Sequence, residues 1–177
     1  LITGHTGFKG SWLSLLLSNY GLNVSGISLK PQEEKNLFEL TNLEKKVTKS
    51  IISDIRDFES LRDFESLRRH ISLIKPSIIF HMAAQPLVIK SYHNPIDTWN
   101  TNLIGTLNLL EALKGENINC RVIIVTTDKV YKNTNKEKIF HEYDELGGND
   151  PYSASKAAVE IAVESWRKSF CGKKSYQ

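Results

Sequence analysis

The chain has 177 residues, enough for one sizeable hydrophobic core, and this length favours one domain over two. Its 23 basic and 20 acidic side chains are interleaved, so the net charge of +3 argues against nucleic-acid binding. The apolar stretch from Trp12 to Leu17 is too short to cross a bilayer and has no charged leader or cleavage site around it. We therefore expect a cytoplasmic protein with neither nucleic-acid nor membrane partners.

The cysteines and the two ends of the chain give further expectations. Cys120 and Cys171 have no CxxC spacing and no histidines at ligand spacing, so we expect reduced thiols and no metal site. Leu1 to Thr3 resemble the end of a strand, and the last residues follow a helix without a closing element. We accordingly expect residues 1–177 to be truncated at both ends, to bind a dinucleotide weakly and not to turn over alone.

Short runs rich in Ile and Val alternate with helical patterns along the whole chain. This alternation predicts an α/β fold of the Rossmann type, a doubly wound parallel sheet with helices on both faces. The predicted strands are Leu1–Thr3, Val24–Leu29, Lys49–Ser53, Ser77–Met82 and Arg121–Thr126. The predicted helices are Gly10–Tyr20, Phe58–Ile74, Pro95–Lys114 and Tyr152–Phe170.

One predicted helix contains a tandem duplication, in which Asp57–Arg62 is repeated without change as Asp63–Arg68. Six residues advance an α-helix by about 600°, so Phe58 and Phe64 cannot share one face of it. We interpret the repeat as a local duplication and predict that one copy is partly exposed or looped out.

Glycines at Gly4, Gly7 and Gly10 come directly after the first strand and directly before the first helix. Glycine permits a tight turn and a close approach of the backbone to a pyrophosphate, while the N-terminus of the helix offers unpaired N–H groups. This segment therefore predicts a dinucleotide site. We expect His5, inside the loop, to shape it and not to titrate.

The acidic residue expected about 20 positions later, at the end of the second strand, is absent. Ser28, Leu29 and Lys30 occupy that place. A carboxylate would bind the ribose 2′-hydroxyl of NAD, whereas a Ser/Lys pair could accept the 2′-phosphate of NADP. The residues themselves leave both cofactors open.

Two later segments carry groups suited to acid–base chemistry. Tyr152 and Lys156 are four residues apart and so lie on one helical face, where the ammonium favours the phenolate and makes Tyr152 a candidate base. The fifth strand ends in a Thr-Asp-Lys sequence, at the edge where open parallel sheets hold their catalytic groups. There Thr127 can hydrogen-bond a hydroxyl, Asp128 can act as an acid and Lys129 as a base.

These segments, in this order, resemble the extended short-chain dehydrogenases of the NAD-dependent epimerase and dehydratase type, over nearly the whole chain apart from the duplicated hexapeptide. The motifs that carry the resemblance are Gly4–Gly10, Asp54–Arg56, His81–Pro86, Thr101–Thr106, Thr126–Lys129 and Leu146–Tyr152. The Asp-Lys pair after the threonine resembles the 4,6-dehydratases of CDP-glucose, whereas the sister enzymes of dTDP-glucose carry Asp-Glu.

The resemblance implies NAD as cofactor, a nucleotide-sugar substrate, a separate C-terminal substrate domain and a homo-oligomer of the full-length chain. It implies a cofactor-binding set of Gly4, Thr6, Gly7, Phe8, Gly10, Asp54, Ile55, Ala83, Ala84, Gln85, Tyr152 and Lys156. The implied catalytic set is Thr127, Asp128, Lys129, Tyr152 and Lys156. Asn102 is expected to be structural or to order a water molecule, and His81 to be a packed strand histidine.

The implied reaction begins when Tyr152 removes the proton of the sugar 4-hydroxyl as hydride leaves C4 for NAD. The new ketone acidifies C5–H, Lys129 takes that proton while Asp128 protonates the departing 6-hydroxyl, and hydride returns to C6. The product is a 4-keto-6-deoxy sugar. Two alternatives remain: a nucleotide-sugar 4-epimerase or other dehydrogenase, and a non-catalytic dinucleotide sensor, against which the presence of every implied catalytic residue argues.

Overall fold

The computed structural model describes residues 1–56, 64–114, 119–133 and 137–171. The described residues belong to two compact units, each built from two stretches of the chain. The first unit comprises Leu1–Ala83 and Gly115–Val125, and the second comprises Ala84–Lys114 and Thr126–Gln177.

The first unit contains a parallel sheet of five strands in the order β3-β2-β1-β4-β5. The strands are β1 Ile2–Thr3, β2 Ser25–Ser28, β3 Lys49–Ile52, β4 Ile78–His81 and β5 Arg121–Ile124. All five predicted strands are confirmed, each shorter than predicted. The strand order reverses between β1 and β4, and ligands of open parallel sheets bind at such a switch point, beyond the carboxyl ends of the strands.

The register of the central strands places two polar side chains together inside the sheet. Thr3 of β1 pairs with His81 of β4, and both side chains are buried. Thr3 Oγ1 lies 2.7 Å from His81 Nδ1 and accepts a hydrogen bond from the Ala83 backbone N–H at 3.2 Å. The prediction that His81 is a packed strand histidine is confirmed.

Among its described residues, the first unit also has the α-helices α1 Phe8–Asn19, α2 Leu37–Leu40 and α3 Phe64–Ile74, and a 3₁₀ turn at Leu43–Lys45. Helix α1 begins two residues earlier than predicted because Gly7 already serves as its N-cap. The short α2 was not predicted, yet its Phe38 is buried with Ile2 and Val24 in the core of this unit. The predicted start of the third helix, from residue 58 to residue 63, lies outside the described residues.

The second unit is built from helices and turns. Its helices are α4 Val88–His93, α5 Pro95–Trp99, α6 Gly105–Leu113 and α7 Pro151–Phe170. The prediction of a single helix over Pro95–Lys114 is wrong in one respect, since a π-helical turn at Asn100–Ile104 separates α5 from α6. Helix α4 was not predicted, and α7 begins one residue before the predicted start, with a proline at its first position.

No helix in the described part of the chain is both long enough and apolar enough to span a membrane. Among the same residues, no group of three or more His, Cys, Asp or Glu side chains is arranged to hold a metal ion. Cys120 and Cys171 are both free thiols.

Candidate functional site

The loop after β1 lies at the switch point of the sheet, and its conformation requires glycine. Gly4 has a φ of +77°, and a Cβ there would lie 2.8 Å from the backbone nitrogen of Ala83. A Cβ at Gly10 would lie 2.0 Å from the carbonyl oxygen of Gly4, far inside any allowed contact. The tight turn therefore depends on both glycines, and Ala83 lies directly beside it.

The N-terminus of α1 is open to solvent at this loop. Gly7 and Lys9 are exposed, and the Phe8 side chain is 72% exposed. The backbone N–H groups of the first helical turn, at Phe8, Lys9 and Gly10, have no acceptor within the helix, and they carry the positive end of its dipole. Together with the glycine turn, this arrangement fits the phosphates of a dinucleotide.

Thr6 connects the loop to the end of β2. Its Oγ1 lies 2.7 Å from Ser28 Oγ and 2.8 Å from the carbonyl oxygen of Leu29, while its backbone N–H donates to Ser28 Oγ at 3.3 Å. Thr6 and Ser28 are both buried. The hydroxyl of Ser28 thus holds the loop in place.

His5 is turned into the first unit and is fully buried. Its Nε2 lies 2.8 Å from Ser50 Oγ, and its ring packs edge-on against Phe38 with centroids 5.4 Å apart. Gly26 makes room for this ring, since a Cβ there would lie 2.1 Å from it. Burial lowers the pKa of His5 to about 4, although the Ile27 carbonyl opposes the shift. His5 is therefore neutral at neutral pH and shapes the loop, as predicted.

Asp54 and Ile55 follow β3, the strand beside β2. Ile55 is buried, while Asp54 forms an ion pair of 2.6 Å with Arg56 and accepts the Arg56 backbone N–H at 2.9 Å. Burial favours the protonated acid, but the hydrogen bonds and charge of Arg56 outweigh it and hold the pKa of Asp54 below its usual value. Asp54 is thus a fixed anion, and its role beside an adenine ring remains a prediction.

In the second unit, Asn102 joins three segments through its buried amide. Its Oδ1 accepts the Gln85 backbone N–H at 2.8 Å, and its Nδ2 donates to the Gln85 carbonyl at 3.2 Å and to Ser155 Oγ of α7 at 2.9 Å. The structural role predicted for Asn102 is confirmed. The buried Gln85 side chain forms hydrogen bonds with Thr98 and with the Leu87 backbone, and so it fixes the turn after Ala84. That Ala83, Ala84 and Gln85 line a cofactor channel remains a prediction.

The predicted Thr-Asp-Lys segment forms a short 3₁₀ turn, Asp128–Val130, capped by Thr127. Thr127 Oγ1 accepts the Lys129 backbone N–H at 3.3 Å and donates to Asp128 Oδ1 at 3.0 Å. Val130 is buried and anchors the turn, whereas Asp128 and Lys129 are exposed. The turn thus presents an acid and an amine side by side.

Helix α7 carries the other two predicted catalytic residues. Asp150 and Ser153 form a capping box that fixes its first turn, where Tyr152 is half-buried. Lys156 lies one turn further on the same face and is only 5% exposed. Helix α7 packs against the 3₁₀ turn that holds Asp128 and Lys129. The structure therefore brings the two predicted catalytic segments together within one unit.

One contact of this site was missed by the sequence analysis. The Thr126 hydroxyl donates a hydrogen bond to the carboxylate of Glu160 on α7. Glu160 comes one helical turn after Lys156, so the spacing of Tyr152, Lys156 and Glu160 could have indicated it. This bond attaches the residue that precedes the Thr127 turn directly to the helix of Tyr152 and Lys156.

The parallel sheet, the glycine loop at its switch point and the Tyr/Lys helix define a Rossmann-type protein of the extended short-chain dehydrogenase class. Residues 1–173 match the family model described as GDP-mannose 4,6 dehydratase. The chain belongs to this family.

Three relatives illustrate the match. The chain is 44% identical to a CDP-glucose 4,6-dehydratase of Salmonella typhimurium over 99% of its length and 47% of the relative. It is 30% identical to a CDP-paratose 2-epimerase of Salmonella typhi, over 96% of this chain and 53% of that one. A UDP-glucose 4-epimerase of Thermus thermophilus, solved with NAD, superposes with a TM-score of 0.79 at 28% identity, over 96% of this chain and 51% of that one. The chain spans about half the length of these relatives.

Proposed function

We propose that the complete protein is a nucleotide-sugar 4,6-dehydratase that converts CDP-glucose to CDP-4-keto-6-deoxyglucose, and that residues 1–177 are its NAD-binding domain. The observation that carries the proposal is the packing of the Asp128–Lys129 turn against the helix of Tyr152 and Lys156. The higher identity to a CDP-glucose 4,6-dehydratase, 44% against 30% for the epimerase, favours this substrate.

NAD is the proposed cofactor, as in the solved epimerase complex. When bound, it supplies a hydride acceptor that gives the hydride back later in the same turnover. The residues that would hold its pyrophosphate are Gly4, Thr6, Gly7, Phe8 and Gly10, through the turn and the N–H groups at the start of α1. Asp54 and Ile55 would border the adenine.

Tyr152, Lys156 and Thr127 act in the first step of the proposed reaction. The Tyr152 oxygen removes the proton of the sugar 4-hydroxyl, and the nearby Lys156 ammonium stabilises the phenolate that does so. Thr127 hydrogen-bonds the same hydroxyl and fixes its orientation. Because the capping box holds the first turn of α7 in place, Tyr152 needs little rearrangement to act.

Asp128 and Lys129 act in the elimination of water. Consecutive residues of a 3₁₀ turn point about 120° apart, so these two side chains can reach different atoms of one sugar ring. The Lys129 amine takes the C5 proton, which the neighbouring ketone has acidified, while the Asp128 carboxyl protonates the 6-hydroxyl as it leaves. Elimination needs an acid and a base at once, and this turn supplies both.

Substrate profiling of the complete protein tests the proposal. The protein is incubated separately with CDP-, dTDP-, UDP- and GDP-hexoses, and the products are identified by mass spectrometry and NMR. We expect a loss of one water and a 4-keto-6-deoxy product, greatest with CDP-glucose. An epimerised hexose of unchanged mass would favour the epimerase instead, and binding of NAD without any turnover would favour a sensor.

We also propose that the complete protein is a cytoplasmic homo-oligomer. Large apolar side chains on the helices of the second unit, including Ile89, Ile96 and Ile161, are exposed and are suited to contact a second copy. Light scattering coupled to size-exclusion chromatography measures the mass of the complete protein in solution. A mass equal to one chain would refute this part of the proposal.

A further inference from the structure

The segment directly after β2 contains no carboxylate. Residues 28 to 32 are Ser, Leu, Lys, Pro and Gln, and β2 ends at Ser28. In NAD-selective Rossmann folds an acidic residue at this place binds the ribose 2′-hydroxyl, and its charge opposes the 2′-phosphate of NADP. That source of discrimination is missing directly after β2 of this chain.

Ser28 does not take over the role of the missing acid. Its side chain is buried, and its Oγ already accepts the Thr6 backbone N–H and lies 3.0 Å from the Leu29 carbonyl oxygen. Rotation of this hydroxyl toward a ribose would break the contacts that hold the glycine loop. Recognition at this position therefore depends on the residues that follow Ser28.

Lys30 is the first charged residue after β2, and it is exposed. In the described part of the chain, no carboxylate forms a salt bridge with it. The contacts of Thr6 with Ser28 and Leu29 bring the glycine loop to this end of β2. Lys30 is therefore the next residue in sequence after two residues that contact the loop of the proposed phosphate site. An unpaired ammonium there can bind a phosphate dianion by charge-assisted hydrogen bonds.

We propose that this cofactor site accepts a 2′-phosphate, so that the protein binds NADP(H) as well as NAD(H), and that Lys30 is the residue that recognises the phosphate. The inference rests on the proposed function, since it concerns the same cofactor site. The proposed reaction returns its hydride in each turnover and so does not itself require one of the two cofactor pools. Dual binding is compatible with that chemistry.

Calorimetric titration of the complete, cofactor-stripped protein with NAD⁺ and with NADP⁺ tests this inference without relying on turnover. We expect the two dissociation constants to agree within about tenfold. The Lys30→Gln variant, which removes the ammonium without introducing an acid, should weaken NADP⁺ binding by at least about tenfold while changing NAD⁺ binding by less than about threefold. Lys35→Gln is the matched control, because Lys35 is exposed in the segment between β2 and α2 and loses the same charge.

Each outcome decides between specific possibilities. NADP⁺ binding roughly a hundredfold weaker than NAD⁺ binding would overturn the inference, since another group, such as Glu33 or Glu34, would then be excluding the phosphate. Equal losses in the Lys30 and Lys35 variants would overturn the role of Lys30. If NAD⁺ binds and supports dehydration but NADP⁺ does not bind, only the inference fails, whereas failure of both cofactors to bind removes the proposed function as well.

Discussion

The glycine loop after β1 and the turn after β5 each follow a parallel strand, yet they are built from opposite kinds of residue. The loop offers backbone N–H groups at the start of α1, and its glycines leave no room for side chains. The turn offers the exposed side chains of Asp128 and Lys129 on a backbone fixed by Thr127 and Val130.

This difference predicts how the two regions respond to substitution. In the loop, the conformation and the proposed binding of phosphate depend on the same backbone atoms, so a change that disturbs one should disturb the other. In the turn and on the face of α7, the proposed reactive groups are the ends of side chains whose removal leaves the local backbone contacts in place. Substitutions should therefore separate chemistry from folding in the second unit but not in the first.

The largest effect is expected for Tyr152→Phe in the complete protein. It removes the base for the first step and leaves the ring in place, so turnover should fall by a factor of roughly 10⁴, the upper end for acid–base groups. Neither reduced cofactor nor product should form in rapid-mixing absorbance, and the melting temperature should stay within about 2 °C of the parent. A variant that still reduces bound cofactor at the parent rate would show that Tyr152 is not the base.

Lys129→Ala should give a defect in a later step. The first hydride transfer remains possible, but removal of the C5 proton is impaired, so dehydration should slow by about 10²–10⁴-fold while enzyme-bound reduced cofactor accumulates. Lys132→Ala is a suitable control, since Lys132 lies three residues away and forms an ion pair with Glu145. Normal binding of substrate and cofactor without any reduced cofactor would place Lys129 in the oxidation step instead.

Gly10→Ala tests the opposite expectation for the loop. The new methyl group would lie 2.0 Å from the Gly4 carbonyl oxygen, so the turn must open, at a cost of about 3 kcal/mol or more. Stability in urea and NAD affinity should fall together. Gly21→Ala provides the control, because Gly21 also has a positive φ of +76° but has open space around it, and only about 1 kcal/mol of backbone strain is expected.

A smaller, pH-dependent effect should come from His5. Its folded pKa of about 4 is below its unfolded value of 6.5, so the unfolded chain takes up the proton first as the pH falls. The stability that the neutral ring provides is complete above pH 6.5 and is lost between pH 6.5 and 4, by roughly 3 kcal/mol. Urea unfolding across this range should show a flatter profile for His5→Gln, and identical slopes in the two proteins would contradict this assignment.

The smallest effect is expected for deletion of residues 63–68. The two hexapeptides are identical, so the deletion leaves one copy immediately before Arg69 and restores a leucine at the place of the buried Leu67. The core contacts of Ile71 should persist, and the free energy of unfolding should change by less than about 1 kcal/mol. A large fall in melting temperature would show that both copies are packed.

Several predicted elements were correct because local chemistry decided them. Pro95 after Asn94 begins α5, Asp150 before Pro151 caps α7, and the spacing of the glycines defines the loop after β1. The same kind of reasoning missed α2 and α4, and it joined α5 to α6. Those elements depend on contacts between distant residues, such as the burial of Phe38 beside Ile2 and the bonds from Asn102 to Gln85 and Ser155.

The sequence by itself determined the alternation of strands and helices and the glycine loop after β1, and it predicted which residues carry acid–base groups, since each depends on neighbours within a few positions. Only the tertiary structure decided the strand order with its switch point, the hydrogen bond between the hydroxyls of Thr6 and Ser28, and the hydrogen bond from Thr126 to Glu160. Each of these three features joins residues that are more than 20 positions apart in the sequence. Such pairings are set by the packing of one particular core, and no local propensity encodes them.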